Sequence, residues 1–417
     1  MRRLLIVTPV FPETGGRRVE KLVKYLPRFG IEPVVLTSTW QTEIARQVQA
    51  REFPETLKIF RVPALPDDPL KLFSRLTGRQ ALRERLQRLL YLPDFWAHWV
   101  PAALLRAHRL LARLNIQVVL TSSPPESVHL VGWWLRRTKR VRWIADFRDL
   151  WTQKKQKFNP PTPLHRQLAI RLEQTFLNAS NVVVANTPAN REIYRRVFGV
   201  NSHRVQVIPN GYDPEDAAGE TRPDHPDPHS LTLGYLGYLD KDQFPYLPVL
   251  EYLQEMRAEG LPVRLEVVGY ISPRARSELQ RRGMNWVHYT PQMPNFEAVP
   301  FLKARSDVLL VLLYDSANSH AIVPLKLYNY LAMDRPILSV GPRGGEVERI
   351  LQQTRAGCHF AVSEKGAIQQ FIRRCWREKQ AEGTIPFSAD KGTLGKYNII
   401  HLAGKLARII DQQGAHW

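Results

Sequence analysis

Short apolar runs alternate with helical patterns along this chain, and that alternation constrains the fold more than any other feature. The first series is Leu4–Thr8, Val34–Thr37, Lys58–Val62, Val118–Thr121, Val141–Ala145, Val182–Ala185 and Val205–Ile208. The second is Leu231–Leu236, Val263–Val268, Trp286–Tyr289, Val308–Leu313, Pro336–Val340 and Gly357–Val362. Continuous apolar strands are buried on both faces, and strands interleaved with helices build a parallel sheet covered by helices. Between the series, Pro214–Ser230 is acidic, rich in Pro and Asp and without periodicity, so it reads as a linker. The prediction is α/β: two Rossmann-like doubly wound parallel-sheet domains, 1–213 and 231–390, joined by 214–230 and facing each other across a cleft that would receive a substrate. Tyr397–Asp411, within the tail 391–417, carries Leu402, Leu406, Ile409 and Ile410 at helical spacing.

Doubly wound sheets bind ligands at the carboxyl ends of their strands, so the residues there are the candidates. Val323-Pro324 marks a helix start, because proline lacks an amide that would have no intrahelical partner there. Free amides of Leu325 and Lys326 and the Lys326 ammonium would attract phosphate. Arg343-Gly344 offers a second basic, flexible loop after the next strand. Gly15-Gly16 is either a plain turn or a close ligand approach. Asp146, Arg148 and Asp149 in WIADFRDLW crowd a strand end, where they are either ligand groups or a structural ion-pair network.

The 417 residues suffice for two or three domains, and the formal charge of +20 favours anionic partners. Residues 71–113 concentrate nine Lys or Arg against Glu84 and Asp94. Leu72, Leu76, Leu82, Leu86, Leu89 and Leu90 recur at helical spacing, and Tyr91, Phe95, Trp96 and Trp99 follow, which reads as a basic amphipathic contact with an anionic membrane surface or as a solvated helix packed on the core. No nucleic-acid-binding motif accompanies the charge, so nucleic acid is not an expected partner. The opening MRRLLIVTPVFPE is broken by Pro9 and Pro12 and reads as a first strand, and no stretch is long enough to span a bilayer. Cys358 and Cys375 form no metal-ligand pattern, which suggests a reducing cytoplasm and no structural zinc.

The pattern V-P-x-K-x-Y-x-Y-L-A-x-x-R-P-I-L from Val323 to Leu338 resembles the donor-site segment of family 4 glycosyltransferases. These are retaining enzymes of the GT-B fold that take sugars from nucleotide-sugars. The resemblance implies that Pro324, Leu325 and Lys326 receive the donor diphosphate, that Gly237, Tyr238 and Lys241 lie in the phosphate turn with Gly269 ending the next strand, and that Gly15 and Gly16 lie under the donor sugar. Arg343 and Gly344 would complete the phosphate site. The Glu pair of the family's E-x7-E falls on Ala321 and Asn329; Asn329 can hydrogen-bond a ribose diol but carries no charge. Where many members carry an Arg and a Lys in the phosphate turn, Tyr238 and Phe244 stand.

SSPP (Ser122–Pro125) followed by D-F-R-D-L-W resembles a branch that builds bacterial polysaccharides, so Asp146, Arg148 and Asp149 are expected at the reaction centre with Lys326. The implied acceptor is a lipid-linked or polysaccharide glycan at the cytoplasmic face of the inner membrane, with no metal and no cofactor beyond the nucleotide-sugar co-substrate. The last helix is expected to return toward the first domain. A non-catalytic GT-B scaffold is the alternative, motivated by Ala321, Asn329, Tyr238 and Phe244.

Overall fold

In the computed structural model, residues 1–12, 18–63, 89–154, 158–218, 227–239, 246–315 and 318–412 are described. The chain divides into one unit of Met1–Asn210 with Leu402–Trp417, and a second of Gly211–His401.

Unit 1 holds a wholly parallel seven-stranded sheet: β1 (Arg2–Val7), β2 (Ile31–Ser38), β3 (Lys58–Val62), β4 (Val118–Ser123), β5 (Arg142–Phe147), β6 (Val182–Ala185) and β7 (Val205–Val207), in the order β3-β2-β1-β4-β5-β6-β7. Order reverses between β1 and β4, the switch point at which crossovers leave to opposite faces and a crevice opens. Its helices are α1 (Arg18–Tyr25), α2 (Glu43–Glu52), α3 (Val100–Leu114), α4 (Val128–Lys139), α5 (Pro163–Ala179) and α6 (Pro188–Phe198). α3 buries Val100, Ala103, Ala107, Leu110 and Leu111 in the core beneath β1 and β2. The end of the basic region is therefore a core-packed helix. Trp99 is completely buried as well, removing that ring from any surface contact. Most of the expected amphipathic segment, Leu72–Leu90, lies outside the described residues.

Unit 2 repeats the design with six parallel strands: β8 (Leu231–Leu239), β9 (Val263–Ile271), β10 (Val287–Pro291), β11 (Val308–Leu312), β12 (Ile337–Val340) and β13 (Gly357–Phe360), in the order β10-β9-β8-β11-β12-β13. Its helices are α7 (Pro214–Ala217), α8 (Tyr246–Ala258), α9 (Pro273–Arg281), α10 (Asn295–Arg305), α11 (Leu325–Leu331), α12 (Glu346–Thr354), α13 (Lys365–Glu382) and α14 (Lys391–Gly395). The segment read as a featureless linker contains helical turn α7, capped by Asp213 through the Glu215 amide at 3.0 Å. Its far end is anchored: Lys379 Nζ, buried, donates to the carbonyls of Asp227 and Ser230 and to Asp307 Oδ2, each at 2.8 Å. The last helix, α15 (Ile399–Asp411), starts in unit 2 and ends in unit 1, where Arg2 Nη1 donates to the Ile410 carbonyl at 2.9 Å.

Candidate functional site

In unit 2, β8 pairs with β11 only at Leu233 and Gly234, then runs on to Leu239 beside β9. The two strands therefore part above Gly234, and the crevice predicted by the strand order opens there. Tyr330 of α11 supplies what the missing ladder does not: its hydroxyl accepts the Leu236 amide at 2.7 Å. Tyr235 Oη donates to the Tyr238 carbonyl at 2.9 Å, so two buried tyrosines fix the turn. Gly237 in that turn has φ +117° and faces Gly269, φ +147°, across the β8–β9 register. A Cβ on Gly269 would lie 2.2 Å from the Gly237 carbonyl oxygen, and one on Gly237 would lie 3.4 Å from Lys326 Nζ. The backbone turn and the lysine, far apart in sequence, line one side of the crevice.

Lys326 stands in the first turn of α11, whose N-cap is Pro324 in an extended conformation with no side-chain cap. Its ammonium lies 3.6 Å from the centroid of the Tyr235 ring. Burial beside that ring pushes the lysine down to about 7, because the charged form is poorly solvated there. Asn329 is buried one turn on, and Ala321 is buried in a short 3₁₀ turn, Ser319–Ala321, lying against Gly345.

Arg343 follows β12 as expected, yet its guanidinium faces carboxylates. It donates to Glu364 from Nε and Nη2 at 2.8 and 2.7 Å and to Glu348 from Nη1 at 2.7 Å, while the Gly344 amide donates to Glu348 Oε2 at 2.6 Å. His359 holds the same loop from below, with Nε2 donating to the Pro342 carbonyl and Nδ1 accepting from Ser339 Oγ, both at 2.9 Å. A phosphate would have to displace these carboxylates to reach Arg343.

In unit 1 the three charges of WIADFRDLW separate into different jobs. Asp146 accepts Nε and Nη2 of Arg18, each at 3.0 Å, and Ser122 Oγ at 2.8 Å, with both members of the ion pair buried. Arg18 Nη1 continues to the Pro209 carbonyl at 2.7 Å, tying β5 to the end of the domain. Arg148 donates to the Ser123 and Pro124 carbonyls at 2.9 and 2.7 Å and so holds the SSPP turn.

Asp149 alone of the three faces open space. It pairs with Lys154 at 2.8 Å and lines a cavity of about 600 Å³ together with Asp94, Glu126, Tyr91, Phe95 and Trp151. Asp94 is fully committed, accepting the Trp96 and Ser127 amides at 2.8 Å and Ser127 Oγ at 2.9 Å. Burial, and after it the charges of Asp94 and Asp149, push Glu126 up to about 8.

Residues 14–211 match the sequence profile of the glycosyl transferase 4-like domain. The chain thus carries a glycosyl transferase 4-like domain in unit 1. Solved structures share its two-domain GT-B fold. Sucrose-phosphate synthase from Thermosynechococcus elongatus is 15% identical over 99% of both chains, with a TM-score of 0.65. HepE from Anabaena, in complex with UDP, is 13% identical over 98% of this chain and 99% of its own, with a TM-score of 0.66. A glycosyltransferase from Rickettsia africae is 14% identical over 99% of both, with a TM-score of 0.64. No curated protein sequence matches significantly.

In this glycosyltransferase the structure brings together Gly237, Tyr238, Gly269, Lys326 and the start of α11. Arg343 and Gly344 sit in their own ion-paired loop, and Gly15, Gly16 and Lys241 lie outside the described residues. Tyr330, Arg18 and Glu126 were not singled out from sequence. Glu126 had a visible signal, a carboxylate directly after Pro-Pro at a strand end, whereas the partners of Tyr330 and Arg18 are too distant in the chain to be read.

Proposed function

We propose that this glycosyltransferase moves a sugar from a nucleotide-sugar to a glycan or lipid-linked acceptor with retention of configuration, without a metal, at the cytoplasmic face of a membrane. The observation that carries the reading is the meeting of Gly237 and Lys326 in the switch-point crevice of unit 2, in a chain whose fold is shared with HepE, a protein described in complex with UDP. Lys326 and the amides of Leu325 and Lys326 would take the leaving diphosphate. The lysine is poised near neutrality until that anion arrives, so the charge is strengthened when substrate binds. The acceptor hydroxyl would attack the anomeric carbon on the face the diphosphate leaves, and a departing phosphate oxygen would accept its proton. Asp149 and Glu126, beside Tyr91 and Trp151, suit hydroxyl recognition and aromatic stacking on an acceptor sugar.

A thermal-shift panel with UDP, GDP, ADP, CMP and their sugar conjugates tests the donor. A ligand at about 100 times its dissociation constant adds about 2.7 kcal/mol of stability. One nucleotide class should shift the folded protein, and Lys326→Met should abolish the shift. A second reading, a non-catalytic GT-B protein, is favoured by the uncharged Asn329 and by the engagement of Arg343 with Glu348 and Glu364. Absence of any nucleotide shift in the folded wild type would select it.

A further inference from the structure

The first sheet has a second cavity that none of this chemistry uses, at the opposite ends of its strands. It has a volume of about 650 Å³, within the range of small-molecule sites. The cations around it are Arg2, Arg136, Arg137, Lys139, Arg140 and Arg142. The strand starts of β1 and β5 contribute Arg2 and Arg142, and the last turn of α4 contributes Arg136, Arg137 and Lys139. Arg140 ends that helix in the left-handed region, φ +51°, turning the run R-R-T-K-R-V-R around the cavity mouth.

Three of these guanidinium groups are fixed by helix-end carbonyls: Arg142 Nη1 donates to Gln412 at 2.6 Å, Arg2 Nη1 to Ile410 at 2.9 Å, and Arg136 to Ala179. Arg2 is also paired with the Asp411 carboxylate at 2.9 Å. Among the described residues, Arg136, Arg137, Lys139 and Arg140 have no ion pair. Basic residues in a last turn do complement a helix dipole, but a fraction of a charge at a helix end does not balance this many cations. Burial lowers the Arg136 and Arg142 guanidinium groups from their ordinary range, and the charge of Arg2 lowers Arg142 further.

We propose that this cavity binds a phosphate-bearing polyanion, either a free phosphorylated small molecule or the headgroup of an anionic lipid. Guanidinium groups held by carbonyls are pre-oriented forks for phosphate oxygens, while Arg137, Lys139 and Arg140 on the exposed rim would close over it. β4 and β5 separate this site from the Asp146 end by the length of a strand, roughly 20 Å.

The test is titration of the full chain with inorganic pyrophosphate at physiological ionic strength, in a Lys326→Met background that removes the proposed donor lysine. The triple variant Arg137→Gln/Lys139→Gln/Arg140→Asn alters only exposed side chains, and Arg166→Gln/Arg171→Gln/Arg191→Gln removes equal charge from α5 and α6. Saturable binding that weakens at least about tenfold in the first triple variant and stays within about twofold in the second is expected. No saturable binding, or equal loss in both, overturns the site. A parallel sedimentation with phosphatidylglycerol vesicles separates the sources. Pyrophosphate-sensitive retention that the first triple variant loses identifies a lipid headgroup, and pyrophosphate binding without retention identifies a soluble phosphate. Loss of the donor shift in Lys326→Met with this site intact would leave the two conclusions separate.

Discussion

Lys326 Nζ lies 3.6 Å from the centre of the Tyr235 ring, and the same ammonium would be 3.4 Å from a Cβ on Gly237. One lysine thus joins a cation–π contact to the turn beside the crevice. Its lowered value, about 7, has a sign that can be tested. Between about 7 and the ordinary lysine value the unfolded chain holds a proton that the folded chain lacks, so stability rises with pH there. Wild type should therefore gain stability relative to Lys326→Met between pH 7 and 9.5 in urea titrations without ligand. Parallel curves would mean that the lysine is charged in the fold. Nucleotide affinity should move the other way, falling above about pH 7 as the ammonium is lost.

The two glycines of the turn should respond differently to alanine. Gly269→Ala places a Cβ 2.2 Å from a backbone oxygen that cannot move without breaking the β8–β9 ladder. Strain at positive φ, about 1–3 kcal/mol, adds to overpacking of similar size. Gly237→Ala, at φ +117°, carries the backbone strain but meets only the tip of Lys326, so it should be the milder of the two in stability and should lower donor affinity as well. Chemical denaturation and nucleotide titration of both variants check the ordering, which is overturned if Gly237→Ala is the less stable.

Glu126 carries the opposite linkage. Its carboxyl is raised to about 8, so the folded state binds a proton that the unfolded state releases from about 4.5 upward. The cost grows from about pH 4.5 to about 8 and is constant above. Glu126→Gln should match wild-type stability near pH 4 and exceed it increasingly up to pH 8. A gap independent of pH would show that Glu126 is ionised normally.

Asp146 is predicted to hold the fold rather than to carry chemistry. Removing one member of a buried ion pair strands the other charge, at about 3–5 kcal/mol. Asp146→Asn and Arg18→Met should each be strongly destabilised, and Arg18→Met/Asp146→Leu should be more stable than the sum of the single losses predicts. A folded, fully stable Asp146→Asn that has lost all transfer activity would instead make Asp146 catalytic.

Much of the sheet architecture was legible because buried parallel strands are continuous apolar runs. Val182–Ala185 was read to the residue, whereas β8 and β9 extend beyond the apolar runs to Leu239 and Ile271, because glycines and tyrosines continue a ladder without looking hydrophobic. Of the residues named from sequence, Gly237 lies beside both Lys326 and Gly269. Arg343 was expected to be available to phosphate, and neither Glu348 nor Glu364 announces itself as its partner from chain position.

Sequence alone determined the two α/β series, their strand positions and the placing of glycines and charges at strand ends, since periodicity and backbone preference act over a few residues. Tertiary structure decided which charges are spent on one another. Arg18 takes Asp146, Arg148 takes the SSPP carbonyls, Glu364 takes Arg343, and Asp149 is left facing a cavity. Those choices depend on distance and desolvation between residues far apart in the chain, and neither exists until the sheet has brought them together.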